Sequence, residues 1–294
     1  MRNETSTGRR AGMIPGMIML MVLVGVLLLA AGAGPLAAAA GNDLAPFKGE
    51  QGRIRIAGGT AHIPVMKAAA ERVMRHNPKI RITVAGGGSG VGIKQVGEGL
   101  VDIGNSGRRP TAGEISRYGL KLHRWAVDGV AVAVNPQNPV RNLSYAQLRG
   151  IYAGRIRNWR EVGGPDRAIH LYTRDKASGT RAVFWKKALN RGAIAPGANF
   201  VPSNGAMKTA LATDPGAIGY LSAGFIDTSV AAVALEGVMP SRENIAKAKY
   251  PVSRGLYSNT RGEPRSLVKK FIAFLYSPSG RKIIAAKGFI PVGQ

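Results

Sequence analysis

The chain has 294 residues, 45% hydrophobic and 19% charged, with no cysteine and a formal net charge of +25 at pH 7. This composition suits a globular protein of one or two domains with a sizeable core, and it argues against disorder. Without cysteine, disulfides, thiolate catalysis, zinc–thiolate centres and lipid attachment through cysteine are all excluded.

At the N-terminus, Arg2, Arg9 and Arg10 precede an uncharged run, including MIMLMVLVGVLLLAAGAG from Met17, that ends in Ala37–Ala40. A basic start, an apolar middle and a small-residue end is the pattern of an export signal over residues 1–40; an uncleaved membrane anchor is the alternative. Three arginines and one glutamate fall in this segment, which leaves +23 for the rest. Those bases are spread along the chain, densest in 141–160 and 186–191. They attract anions, and export favours small anions, anionic lipid or surface polymer over nucleic acid.

Residues 41–51 read as a linker. Ile54 and Ile56 then alternate with Arg53 and Arg55, as in a strand. Gly58-Gly59-Thr60 breaks it. Pro64 suits a first helical turn, Val65, Ala69 and Val73 give an apolar stripe, and Asn77-Pro78 ends the helix. Ile80, Ile82 and Val84 alternate as a second strand, followed by the glycine-rich loop GGGSG. Ile93, Val96 and Leu100 fall on one face of the next helix, then VDIG is a short strand and NSGRRPT a polar loop. This β-loop-α order predicts a mainly parallel sheet with helices packed on it.

From Asp128, GVAVAVNP reads as a buried strand. Helix-like LSYAQLRGIYAG, turn-like NWREVGGPD and strand AIHLYTR follow. Ser178-Gly179-Thr180 leads into the helix RAVFWKKAL, with Phe184, Trp185, Ala188 and Leu189 on one side. GAIGYLS and VSRGLYSN read as strands, and SLVKKFIAFLYS as an amphipathic helix before a short closing helix and GFIPV.

Three loops therefore share one layout: Gly58-Gly59-Thr60, Gly88-Ser89-Gly90 and Ser178-Gly179-Thr180 each place small residues and a hydroxyl at a helix start. The first turn of a helix has free N–H groups and a partial positive charge, so such turns suit oxyanions. Any one of them equally suits an ordinary capped helix. Three together, with Arg174 four residues before Ser178, point to one shared oxyanion site. Enzyme templates fit poorly. The Walker, dinucleotide and nucleophile-elbow spacings all fail around Gly86–Gly92. His62, His76, His123 and His170 show no metal-ligand spacing and read as surface or core histidines.

Together, GGTAHIP, GGGSGVGIKQVGEGLVDIGNSGRR, DGVAVAVNPQNPV, LRGIYAGRIRNWREVGGPD, TRDKASGTRAVF, SNGAMKTALATDPGAIGY and VSRGLY resemble, in order, the phosphate-binding proteins of bacterial phosphate ABC transporters. The resemblance runs from about residue 52 to the C-terminus. It implies an α/β, two-lobed type II periplasmic binding protein, each lobe a mostly parallel sheet flanked by helices, with ligand in the cleft between them. It implies a non-catalytic, monomeric periplasmic receptor without cofactor or metal, which binds inorganic phosphate and passes it to membrane permease subunits. Lobe 1 would use residues 52–133 and 251–294 and lobe 2 residues 134–250, with GVAVAVNP and PVSRGLY as crossings. Carried over by position, the ligand set is Thr60, Ala61, Ser89, Arg108, Arg174, Ser178, Gly179 and Thr180. Arg181 would face solvent, and Asp102 would brace its strand. One departure is Gly107, where some members carry an acid that accepts a proton from phosphate. The rival readings are a receptor for sulfate, molybdate or another oxyanion, an enzyme acting on phosphoesters, and a module binding anionic polymers.

Overall fold

The structure, a computed structural model, describes residues 42–293. The export signal read at residues 1–40 lies outside them. The first half follows the strand–loop–helix rhythm: β1 (Gly52–Gly58), α1 (Ile63–His76), β2 (Ile80–Gly87), α2 (Ser89–Gly97) and β3 (Ile103–Ser106). β1 lies between β2 and β3, parallel to both. α1 buries Val65, Met66, Ala69, Ala70 and Val73 against this sheet. It stops where Pro78 disfavours a helical conformation at Asn77, whose φ is −137°. Asn77 Nδ2 then donates to the carbonyls of Phe47 and Glu50, at 2.7 Å each. The stretch read as a linker is thereby tied down, and Phe47 is fully buried with its ring edge against Phe274. α2 is shorter than its apolar pattern suggests. It ends at Gly97, and Gly99 takes a left-handed φ of +75°, so Leu100 leaves the helical face and is 55% exposed.

The polar loop after β3 contains a further helix, α3 (Ala112–Tyr118), closed at its start by a reciprocal pair of bonds between Thr111 and Glu114. β4 (Leu120–Val134) is fifteen residues long and begins well before GVAVAVNP. The second half comprises β5 (Asn142–Leu143), α4 (Tyr145–Tyr152), β6 (His170–Thr173), α5 (Gly179–Lys187), β7 (Asn199–Phe200), α6 (Asn204–Thr213), β8 (Ala217–Ser222), β9 (Ala231–Leu235) and α7 (Arg242–Ala246). The chain returns through β10 (Ser253–Arg261), α8 (Ser266–Tyr276), α9 (Pro278–Ala286) and β11 (Ile290–Pro291).

Strands β6, β7 and β8 pair in parallel, as do β5 and β9. β4 and β10 run antiparallel to each other and to their other partners, and sit mid-sheet in the order β2-β1-β3-β10-β4-β8-β6-β7. Two large apolar clusters flank them. One gathers Ile54, Val65, Trp125, Leu256 and Phe271, the other Val130, Trp159, Phe184, Tyr220 and Tyr250. β4 passes from the first cluster at Ala126 to the second at Val130, and the chain returns between Val252 and Leu256. At this double crossing Asp128 and Arg254 are direct cross-strand partners. Burial of such aromatic and aliphatic side chains, at roughly 1.5–3 kcal/mol each, holds each half together without disulfides.

Candidate functional site

The three small-residue turns meet. Gly59, Thr60 and Ala61, then Gly88 and Ser89, then Ser178, Gly179 and Thr180 line one small cavity, together with His62, Gly107, Arg174 and Arg254. No aspartate or glutamate lines it.

Each turn has a local cause. Gly88 has φ +90°, and a Cβ there would lie 2.9 Å from Ala177 O, so only glycine lets the second turn approach the third. Gly90 N donates to that same carbonyl at 2.9 Å. α5 begins with Ser178 Oγ accepting from Arg181 N at 3.1 Å. Its Phe184 stacks on Tyr220, with centroids 4.1 Å apart and an interplanar angle of 13°. The Tyr220 hydroxyl takes the Arg174 backbone N–H at 3.1 Å and bonds Thr173 Oγ1 at 2.8 Å, which fixes the end of β6.

Arg174 is 1% exposed. Its Nη2 donates to Pro202 O at 2.9 Å, while Nε and Nη1 have no partner among the described residues. Burial pulls this guanidinium below its usual pKa. Its planar fork keeps two donor nitrogens open, groups that an oxyanion accepts.

The hydroxyls are oriented by what they accept. Thr60 Oγ1 takes bonds from Asn204 N (3.2 Å) and Nδ2 (2.9 Å), Ser89 Oγ from Gly107 N (2.9 Å), and Thr180 Oγ1 from Arg254 Nη1 (3.0 Å). With an oxygen lone pair already engaged, each hydroxyl keeps its proton for a guest.

Of the residues carried over by resemblance, seven line the cavity and one does not. Arg108 is the exception. Its guanidinium grips Glu114 with bonds of 2.7 and 2.6 Å, next to the cap of α3. This pairing holds the Glu114 carboxyl below its usual range. Arg181 is partly buried, and its Nε has no partner among the described residues. Asp102 braces β1 by accepting from Arg55 N at 2.7 Å.

Three residues were missed in the sequence. Arg254 is 7% exposed; Nε donates to Asp128 Oδ2 at 2.9 Å and Nη1 to Gly107 O at 3.3 Å. Nη2 lies 2.8 Å from the same carboxylate oxygen but is too poorly angled to donate to it. A Cβ on Gly107 would lie 2.7 Å from Arg254 Nη1, so this guanidinium fills the space where a side chain at 107 would stand. His62 is fully buried, with its ring edge-to-face against Trp125. Asn204 reaches from the start of α6 to Thr60, and its Oδ1 accepts from Ser222 N at 2.9 Å. Sequence could have signalled Arg254, because it falls on the same inward period-two face as Val252 and Leu256.

A site of buried amides, hydroxyls and guanidinium groups can hold a small tetrahedral oxyanion. It contains no nucleophile paired with a base, and among the described residues no cluster of three or more metal-ligating side chains occurs.

Comparison with known proteins agrees with this architecture. Residues 45–279 match the model of the PBP superfamily domain. The phosphate-binding protein PstS of Bacillus subtilis is 38% identical over 282 residues, spanning 94% of each chain. Among solved structures, a putative phosphate ABC transporter substrate-binding protein with bound phosphate from Clostridium perfringens is 34% identical. The match covers 82% of this chain and 100% of that one, with a TM-score of 0.77. An ABC-type phosphate transport receptor from Vibrio cholerae is 38% identical over 81% of this chain and 99% of that one, with a TM-score of 0.66. With its mixed α/β, type II periplasmic binding protein fold, this chain belongs to the PBP superfamily and, within it, to the PstS family of phosphate-binding proteins.

Proposed function

We propose that the chain is a periplasmic receptor for inorganic phosphate that supplies the membrane permease of an ABC transporter and catalyses no reaction. Thr60, Ala61, Ser89, Arg174, Ser178, Gly179 and Thr180 bind the anion. The halves built on residues 52–133 with 251–294, and on 134–250, close over it about the double crossing. One observation carries this reading: three helix starts and two unpartnered donor nitrogens of a buried guanidinium converge on one shared cavity. Names of the PstS relatives point the same way. An exported protein fits the apolar N-terminal run, and no helix among the described residues is long and apolar enough to cross a membrane.

Calorimetric titration with phosphate tests the reading. One-to-one binding in the micromolar range or tighter is expected, with no turnover of a generic phosphomonoester. Turnover, or no binding at all, overturns it.

Two substitutions separate bystanders from participants. Arg108→Ala removes a partly exposed ion pair worth about 0.2–1 kcal/mol of stability and is expected to leave phosphate affinity within about twofold. Gly179→Ala puts a methyl group onto Ser89 Oγ across the cleft. It is expected to weaken phosphate by at least tenfold while circular dichroism stays unchanged, because the added carbon keeps the turns apart. Wild-type affinity in Gly179→Ala would show that the two turns do not close on one guest.

A further inference from the structure

The lining of this cavity has a shortage. It is rich in groups that donate hydrogen bonds and holds no carboxylate. The Thr60, Ser89, Ser178 and Thr180 oxygens each already accept from an N–H group. The Gly59, Gly88 and Gly107 carbonyls each accept one as well, from His62 N, Gly92 N and Arg254 Nη1. Arg174 and Arg254 are donors only. Asp128 stands behind Arg254, with Oδ2 spent on Arg254 Nε and Oδ1 on Ser222 Oγ.

His62 differs. It lines the same cavity, is fully buried, and neither Nδ1 nor Nε2 has a partner among the described residues. Its ring is held edge-to-face on Trp125, with centroids 5.5 Å apart. That indole cannot serve it, because Trp125 Nε1 donates to Ser258 Oγ at 3.1 Å. Burial, with the Arg254 guanidinium adding to it, lowers the imidazole pKa to about 3. The charged group facing it is Arg254 of β10, with Asp128 of β4 beyond; Gly59, Ser106 and Tyr257 face it with backbone. A neutral imidazole carries one N–H and one open lone pair.

The proton on the guest is what matters here. At neutral pH, phosphate carries a hydroxyl, whereas sulfate has none. A buried hydroxyl with nothing to accept its proton is costly, whereas a site that accepts it discriminates against the analogue that lacks it. We propose that His62 is the specificity-determining residue of this site: its unprotonated ring nitrogen accepts the hydrogen bond of the phosphate hydroxyl, so the cavity prefers a singly protonated oxyanion to fully ionised sulfate. This rests on the reading of the protein as a phosphate receptor. His62 supplies proton recognition from the first turn, beside Gly107, where no side chain stands.

Competition calorimetry with phosphate and sulfate on the purified protein tests the assignment. The wild type is expected to bind phosphate at least about 100-fold more tightly than sulfate. His62→Met keeps the volume and removes the acceptor; the ratio is expected to shrink at least tenfold, chiefly through weaker phosphate binding. His62→Gln, whose amide oxygen can accept, is expected to keep more of the ratio than His62→Met. An unchanged ratio in a folded His62→Met overturns the proposal. Should that variant fail to fold, ¹⁵N spectra of the wild-type imidazole decide: one ring nitrogen moves on adding phosphate but not on adding sulfate. Equal spectra with both anions bound overturn the proposal. Wild-type protein that binds no phosphate sinks instead the receptor reading beneath it.

Discussion

Arg174→Ala is expected to weaken phosphate binding by about 100-fold or more while leaving the fold intact. Two N–H groups of this guanidinium are buried without partners, and a hydrogen bond to a charged group contributes roughly 1.5–3 kcal/mol. Two such bonds amount to about 3 kcal/mol or more, and each 1.4 kcal/mol is a factor of ten. The same substitution removes a cation that burial disfavours more than the nearby Asp175 charge favours it. Thermal unfolding measured without phosphate is therefore expected at an unchanged or higher temperature, even as affinity collapses. Arg174→Lys is expected to recover little, since an ammonium cannot replace two donor nitrogens fixed in one rigid plane. Titration calorimetry and a melting curve check both halves of this expectation. Undiminished affinity in Arg174→Ala removes this residue from the site.

Asp128→Asn is expected to act the other way, on stability first. Arg254 and Asp128 are 3% and 0% exposed at their side chains and face each other across β4 and β10. Removing one partner of a buried pair leaves the other charge uncompensated, at a cost of about 3–5 kcal/mol. For a protein of this size the melting temperature is expected to fall by on the order of 10 °C. Replacing both, as Asp128→Leu with Arg254→Met, is expected to restore most of the stability, because well-packed apolar residues often match a buried ion pair. Phosphate affinity is expected to stay low in that double variant, since the Arg254 contacts to Thr180 and Gly107 go with the guanidinium. Melting curves that do not separate Asp128→Asn from wild type would mean that the pair does not brace the crossing.

Much of this was legible in the sequence, because helix starts leave short-range marks. A hydroxyl and glycines between an alternating strand and an apolar stripe identify Thr60, Ser89 and Ser178 as turn residues at helix entrances. What such marks cannot give is register. Asp128 and Arg254 lie 126 residues apart in sequence and become partners only when β4 and β10 align. Period-two reading places Asp128 between inward Ala126 and Val130, and Arg254 between inward Val252 and Leu256; two inward opposite charges were the available clue. His62 left no clue, since a histidine in a helix start has no spacing signature. Arg108 shows the opposite limit. Resemblance by position placed it in the site, while its own neighbourhood, Thr111 and Glu114 around a helix cap, drew its side chain elsewhere.

The seam across the cleft is itself partly protein on protein: Asn204 to Thr60, Gly90 to Ala177, Arg254 to Thr180. Jaws that cling to each other ask less of their cargo to stay shut, and by the same token they do not spring apart when it is time to unload. Detaching Asn204 and Ala177 from their partners is work that release of the cargo has to overcome.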